Sequence, residues 1–212
     1  MHMKINEIKG FILLLGTALC VLYSSAFGAE PPGTCVSEEE ARLLDAVNAY
    51  RDDNGLAHVA WSKSLMTVAQ WHAWDAGANS PFNATCNRHS WSDARPDLWT
   101  EVCYTPDHAN AEGVWFKPRE ITGNIYTAAS FENAAWGYLT PEAALNGWKN
   151  SIGHNNVILN RDIWTRYTWR AMGVGVNSES NYYFLWFSDR VDPQGTLSVC
   201  GEGLLFMDGF EP

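Results

Sequence analysis

Among the six histidines and 24 acidic residues of this 212-residue chain, His89, Glu132 and His154 are the leading candidates for acid–base or metal chemistry. An imidazole changes charge near physiological pH, and a carboxylate within reach can orient its ring or share its proton. His89 falls in an irregular stretch, where functional side chains concentrate. His154 follows Gly153 just past the expected end of a helix, a place from which a ring can project into a cleft. Glu132 precedes Asn133, whose amide can orient a neighbour. The competing reading is structural: Glu132 caps a helix, or pairs with a histidine to fix loops, because ion-pair networks also serve architecture. His72 lies in an apolar helical pattern and reads as a buried or boundary histidine without a catalytic role. Asp107 and His108 read as a solvated pair that could at most add a ligand.

Other chemistries lack their signatures. There is no Gly-x-Ser-x-Gly elbow, no His-Glu-x-x-His helix, no phosphate loop and no Gly-x-Gly-x-x-Gly turn. Gly173-Val174-Gly175 runs into Val176 and reads as a strand packed closely by backbone.

The elements that must carry these residues follow from capping and periodicity. Ser37 and Glu40 form a capping box, and Leu43, Leu44, Val47 and Tyr50 continue at helical spacing to Asn54-Gly55. A second helix starts near Ser62, buries Leu65, Met66, Ala69, Ala73 and Ala76, and is expected to stop at Gly77. Residues 77–131 are punctuated by Pro and Gly and show weak periodicity. Thr140-Pro141 opens a further helix that is expected to run to about Ser151 and end at Gly153. Residues 160–170 read as loop or edge strand, Ala171–Val176 and Tyr182–Ser188 as a hairpin, and Thr196–Val199 as a third short strand. Helices followed by a hairpin predict an α+β fold with an antiparallel sheet. Asn83-Ala84-Thr85 is a glycosylation sequon in a eukaryotic context only.

Composition sets the surroundings. An apolar fraction of 46% supports a full core, and a net charge of −10 disfavours nucleic acid and anionic lipid. Eleven Trp, nine Phe and eight Tyr read first as core, and alternatively as an aromatic-lined groove for sugars, sterols or lipid. Lys4, Lys9, the apolar run Phe11 to Tyr23 and the small residues up to Ala29 have the layout of a cleaved secretory signal over residues 1–28. That run of roughly 13 residues is short of the ~20 a membrane span needs. A linker is expected over 29–36, the main domain over 37–200, and an acidic aromatic tail over 201–212. Cys35, Cys86, Cys103 and Cys200 remain after the leader, an even number that suits an oxidising compartment. Three pairings are open. Cys86–Cys103, closing a local loop, with Cys35–Cys200, tying the ends, is favoured.

Four segments carry a resemblance when taken in order. They are Leu43–Asp75, Arg88-His89-Ser90, Phe131-Glu132-Asn133-Ala134-Ala135-Trp136, and Gly147–His154 followed by Met172-Gly173-Val174-Gly175. Together they resemble the CAP superfamily of cysteine-rich secretory, antigen 5 and pathogenesis-related proteins, in its bacterial branch. The resemblance implies an α-β-α sandwich around a small antiparallel sheet, with two histidines and two glutamates in one cleft. His89 and His154 are similar to the histidines and Glu132 to one glutamate. The second glutamate would fall near Asn150 or Ser151, and neither is acidic. Two imidazoles and one carboxylate suit a divalent cation such as zinc, with His89 and His154 as ligands. The segment from about 90 to 130 is long for the family and could be a lid over the cleft or a stapled excursion.

The reading adopted is a secreted binding module, extracellular or periplasmic and monomeric. Its cleft of His89, Glu132, Asn150, Ser151 and His154 would take a lipid or sterol, a divalent cation or a protein partner. The alternatives are a hydrolase, in which His89 or His154 acts as base or both hold zinc while Glu132 handles protons, and a structural protein whose cleft residues only brace loops.

Overall fold

A computed structural model describes residues 31–201. The expected leader and most of the expected tail lie outside the described residues. Helix α1 (Glu38–Asp52) begins with the capping box read from sequence: the Ser37 N–H donates to Glu40 at 2.9 Å and the Glu40 N–H to Ser37 Oγ at 3.2 Å. Helix α2 (Lys63–Asn79) is capped by Ser62, and Asp192 anchors the same turn. Its carboxylate accepts from the Ser62 and Ser64 hydroxyls and from the Ser64 N–H.

Gly77 does not stop α2, which runs on to Asn79 and ends at Ser80 with φ +46°. The glycine is there for space: a β-carbon would strike the Asn177 amide, which reaches over to donate to the Ala73 carbonyl. Two short helices, α3 (Ala111–Trp115) and α4 (Lys117–Ile121), lie within the stretch that showed no period. Strand β1 (Phe131–Trp136) follows. Helix α5 (Pro141–Lys149) has Thr140 as its cap, and α6 (Ile152–Ile158) starts almost at once behind it. A 3-10 turn, Asp162–Arg166, occupies the stretch left between loop and edge strand. The hairpin is β2 (Ala171–Asn177) and β3 (Tyr182–Ser188). The third strand expected at Thr196–Val199 is reduced to a single bridge, Val36 to Val199.

The sheet is antiparallel with order β1-β3-β2. It is the middle layer of an α-β-α sandwich, as expected. One face packs α1, α5 and α6 around Leu44, Trp148, Phe131 and Phe187. The other packs α2 and the 90–130 segment around Ala69, Trp91, Phe184 and Trp186. Gly173 and Gly175 let α2 lie directly on β2, because a β-carbon at either would collide with the α2 backbone at Leu65–Met66 or Ala69–Gln70. The 90–130 segment is neither lid nor detached excursion. Trp91, Trp99, Val114 and Tyr126 make it the outer wall of the second core. Both favoured disulfides are present, Cys35–Cys200 and Cys86–Cys103.

Candidate functional site

Alternation along β1 sends Glu132 to the α2 face and Asn133 to the α6 face of the sheet. The Glu132 side chain is 1% exposed, and both of its oxygens are engaged. Oε2 lies 2.5 Å from His72 Nδ1, and Oε1 lies 2.6 Å from His89 Nδ1. His72 is wholly buried, stacked between Trp91 at 4.2 Å and Phe184 at 3.9 Å. Its Nε2 sits 3.0 Å from the Ser90 carbonyl, which can only accept. Nε2 therefore carries a hydrogen, and the short contact on the other side holds a second proton between Nδ1 and Glu132. Burial pushes the Glu132 carboxyl up, but the charge and hydrogen bonds of His72 and His89 outweigh it and hold the group below the usual carboxylate range.

The sequence reading of His72 as a buried histidine agrees with the structure, which adds that it is a direct partner of Glu132. It lies on the buried stripe of α2, one helical turn from Ala69 and Ala76. An imidazole on such a stripe needs partners for both nitrogens, and that need was the available signal. Of the two readings of Glu132, pairing with histidine is the observed one.

His89 is 23% exposed, and its Nδ1 is committed to Glu132, so Nε2 is the nitrogen left for the cleft. Tyr104 packs against the His89 ring at 5.1 Å. Burial and the Glu132 charge push the Tyr104 phenol up, and its hydroxyl meets His108 Nδ1 at 2.7 Å. Tyr104 is thus a part of the site that sequence reasoning missed, and His108 contributes through it rather than as a ligand. Asp107 is exposed and serves its own turn through Thr105 and Ala109.

His154 is inside α6, not past a helix end, because α5 stops at Lys149 and a new helix starts at Ile152. Its Nδ1 lies 2.7 Å from Ser151 Oγ, and its carbonyl accepts from Asn133 Nδ2 at 3.0 Å. Burial, and then the neighbouring His89, push the His154 ring below the ordinary histidine value. The His154 ring therefore senses His89, while Glu132 hydrogen-bonds His89 and not His154. Asn150 is the α5 C-cap, and its backbone N–H closes that helix on Asn146.

Removing the His89 ring should raise the His154 midpoint without restoring the ordinary value, because burial is the larger cause. An NMR titration of ring signals in wild type and His89→Ala reads this directly. An unchanged midpoint would separate the two rings.

These residues lie within a recognisable family pattern. The model of the CAP, or cysteine-rich secretory protein, family matches residues 44–189, which hold every cleft residue named above. The chain belongs to the CAP family. A protein named an uncharacterized membrane protein, YlbC, of Bacillus subtilis is 29% identical over 144 residues, 68% of this chain and 32% of that protein. An extracellular SCP-domain protein of Bacillus anthracis matches with TM-score 0.50 at 24% identity, over 72% of this chain and 40% of the other. An outer surface protein of Borrelia burgdorferi matches with TM-score 0.45 at 17% identity, over 71% of this chain and 91% of the other. The chain thus spans about a third of the length of the curated relative and two fifths of the Bacillus anthracis protein.

The family resemblance raised the question of a metal held by His89 and His154. The side chains do not fit one as a resident group. Glu132 has both oxygens occupied, and Ser151 stands near where a second carboxylate was expected. Two imidazole nitrogens fall short of the three protein ligands of a catalytic zinc. Among the described residues no three His, Cys, Asp or Glu side chains are grouped to hold a cation.

A cavity of about 840 Å³ is lined by Trp71, Trp74, Glu39, Glu179, Cys35 and Cys200 among others, and none of the cleft residues reaches it. No helix among the described residues is long and apolar enough to cross a membrane.

Proposed function

We propose that this CAP domain is exported and acts as a binding module, taking a protein partner in the cleft between His89 and His154. The observation that carries this reading is the double engagement of a buried Glu132. A carboxylate closed in by two histidines holds rings in place and has no lone pair facing a substrate. The cleft histidines present nitrogens, not a three-donor cation site. The cavity of about 840 Å³ beside Trp71 and Trp74 lies apart from them. Export is supported by the leader-like start, by two disulfides, and by a structural neighbour named as an extracellular protein.

One observation favours a hydrolase as the second reading. Ser151 Oγ and His154 Nδ1 stand at nucleophile–base distance, and the His154 ring is biased toward its neutral form.

The test follows the ring signals of His89 and His154 by NMR while tryptic casein peptides are added. The binding reading expects saturable shifts without new cleavage, and affinity at least about tenfold weaker in the His89→Ala/His154→Ala double variant. Cleavage that disappears in His154→Ala would replace it with the hydrolase. Ring signals that never move would remove the cleft as a binding site.

A further inference from the structure

We infer that the cleft binds its partner by strand addition, an extended acidic peptide pairing with the open edge of β1. This rests on the binding reading above and names how that site recognises its ligand.

The pairing parity fixes which backbone groups are open. Gly137 donates its N–H to the Asn181 carbonyl, in line with the register that pairs Trp136 with Tyr182. Antiparallel ladders alternate, so Phe131, Asn133 and Ala135 bond to β3, while Glu132, Ala134 and Trp136 turn their N–H and C=O groups outward. The Ala134 carbonyl confirms the direction, because it accepts from Trp148 Nε1 on the far side from β3, so at Ala134 the N–H is the open group and the outward carbonyls left for a partner are those of Glu132 and Trp136. β1 is an edge strand, and among the described residues nothing accepts the N–H groups of Glu132, Ala134 or Trp136. Glu132 is half-buried as a residue although its side chain is 1% exposed, so its exposure is that of its backbone.

This open edge runs between the two helical layers. His89 and Tyr104 stand on the α2 side, and His154 and Ser151 on the α6 side. A peptide laid along it would meet main-chain donors at every second residue and the two imidazoles on either flank. Edge strands are commonly blunted by charge, proline or a covering loop. Here the edge ends instead at Trp136, 52% exposed, with the Arg88 guanidinium over its ring at 4.5 Å. The Arg88 guanidinium lies over the Trp136 and Phe82 rings and forms no ion pair among the described residues. In a chain of net charge −10, the Arg88 guanidinium is the positive charge at this strand edge. It selects an acidic peptide, with a peptide carboxylate on Arg88.

The experiment uses a pool of blocked hexapeptides with alternating Val or Thr and Glu, labelled for anisotropy, and the same pool N-methylated at alternate residues. The unmodified pool is expected to bind saturably and to slow hydrogen exchange at the Glu132, Ala134 and Trp136 amides. The methylated pool should bind at least about tenfold more weakly, since each lost backbone bond counts. Ala134→Pro should weaken binding similarly, because an outward N–H on an edge strand can be given up without breaking the ladder to β3. Arg88→Glu, which leaves the strand intact, should weaken binding of the acidic pool and not of a neutral one. Equal binding of the methylated pool, or absence of saturable binding by either pool, overturns the inference. So does a dimer that seals this edge against peptide. If casein peptides still move the His89 and His154 signals while the extended pools do not bind, strand addition fails and the binding reading survives. If neither acts on the cleft, both fail.

Discussion

Glu132→Gln is expected to lower folding stability by about 3 kcal/mol, seen as a lower urea midpoint with an unchanged slope. The magnitude follows from burial. The Glu132 carboxylate is almost free of solvent contact, and it satisfies two imidazole nitrogens at 2.5 and 2.6 Å. A carboxamide has the same shape, but it can accept from one ring only, and its NH2 turns toward the other. The proton between His72 and residue 132 then loses its charged partner in a site lined by Trp91 and Phe184. The pH dependence has a definite sign. The folded Glu132 value is depressed, so its contribution is full above the ordinary carboxylate value and is lost as pH falls through the depressed one. The gap between wild type and Glu132→Gln should therefore be widest near neutrality and close in acid. A gap that widened in acid would mean that the group is buried as a neutral acid.

The second large effect concerns the Cys35–Cys200 bridge. Its sequence separation of 165 residues spans nearly the whole described domain. On a loop-closure argument, the Cys35→Ser/Cys200→Ser variant should lose about 5 kcal/mol, against about 3 kcal/mol for Cys86→Ser/Cys103→Ser, which opens a separation of 17. Urea midpoints of the two variants give the order directly. The long bridge joins the segment before α1 to the segment after β3, on the wall of the 840 Å³ cavity and away from His89 and His154. Ring signals of the cleft should accordingly stay unchanged in the Cys35/Cys200 variant while its midpoint falls. An equal loss from both bridges would show that native contacts, not chain entropy, set their value.

Local rules made much of this fold legible. The Ser37–Glu40 box, the Thr140-Pro141 start and the β2–β3 hairpin are each fixed by residues within a few positions of one another. Of the three disulfide pairings the sequence leaves open, the favoured one is present. Long-range contact decided the rest. Gly77 looks like a helix stop, yet it is kept helical because Asn177, a hundred residues away, needs the space. β1 was read as a motif and not as a strand, because its two small alanines and its buried Glu and Asn break the usual β-rich pattern. α6 was hidden because Gly153 behaves as a helix residue there. Glu132 bonds His89 and also His72, a partner that no motif in the sequence marks. The choice between ligand and bracket depends on where α2 crosses β1, and no spacing in the sequence states that crossing. The 90–130 segment is hard to read for a related reason: its aromatics pack against α2, the sheet and one another without a helical period.

The central claim is that Glu132 is a buried bracket between His72 and His89, leaving only the outer nitrogen of His89 for the cleft. Long-range nitrogen–proton correlation on uniformly ¹⁵N-labelled protein at neutral pH tests it most directly. The account predicts hydrogens on both ring nitrogens of His72, or one shared with Glu132 at low field, and a His89 ring protonated at Nδ1 with Nε2 bare. Both Nδ1 protons should be protected from exchange and should move in Glu132→Gln. A His89 ring carrying its only hydrogen on Nε2, or a His72 ring whose Nδ1 is bare and indifferent to Glu132→Gln, would contradict it.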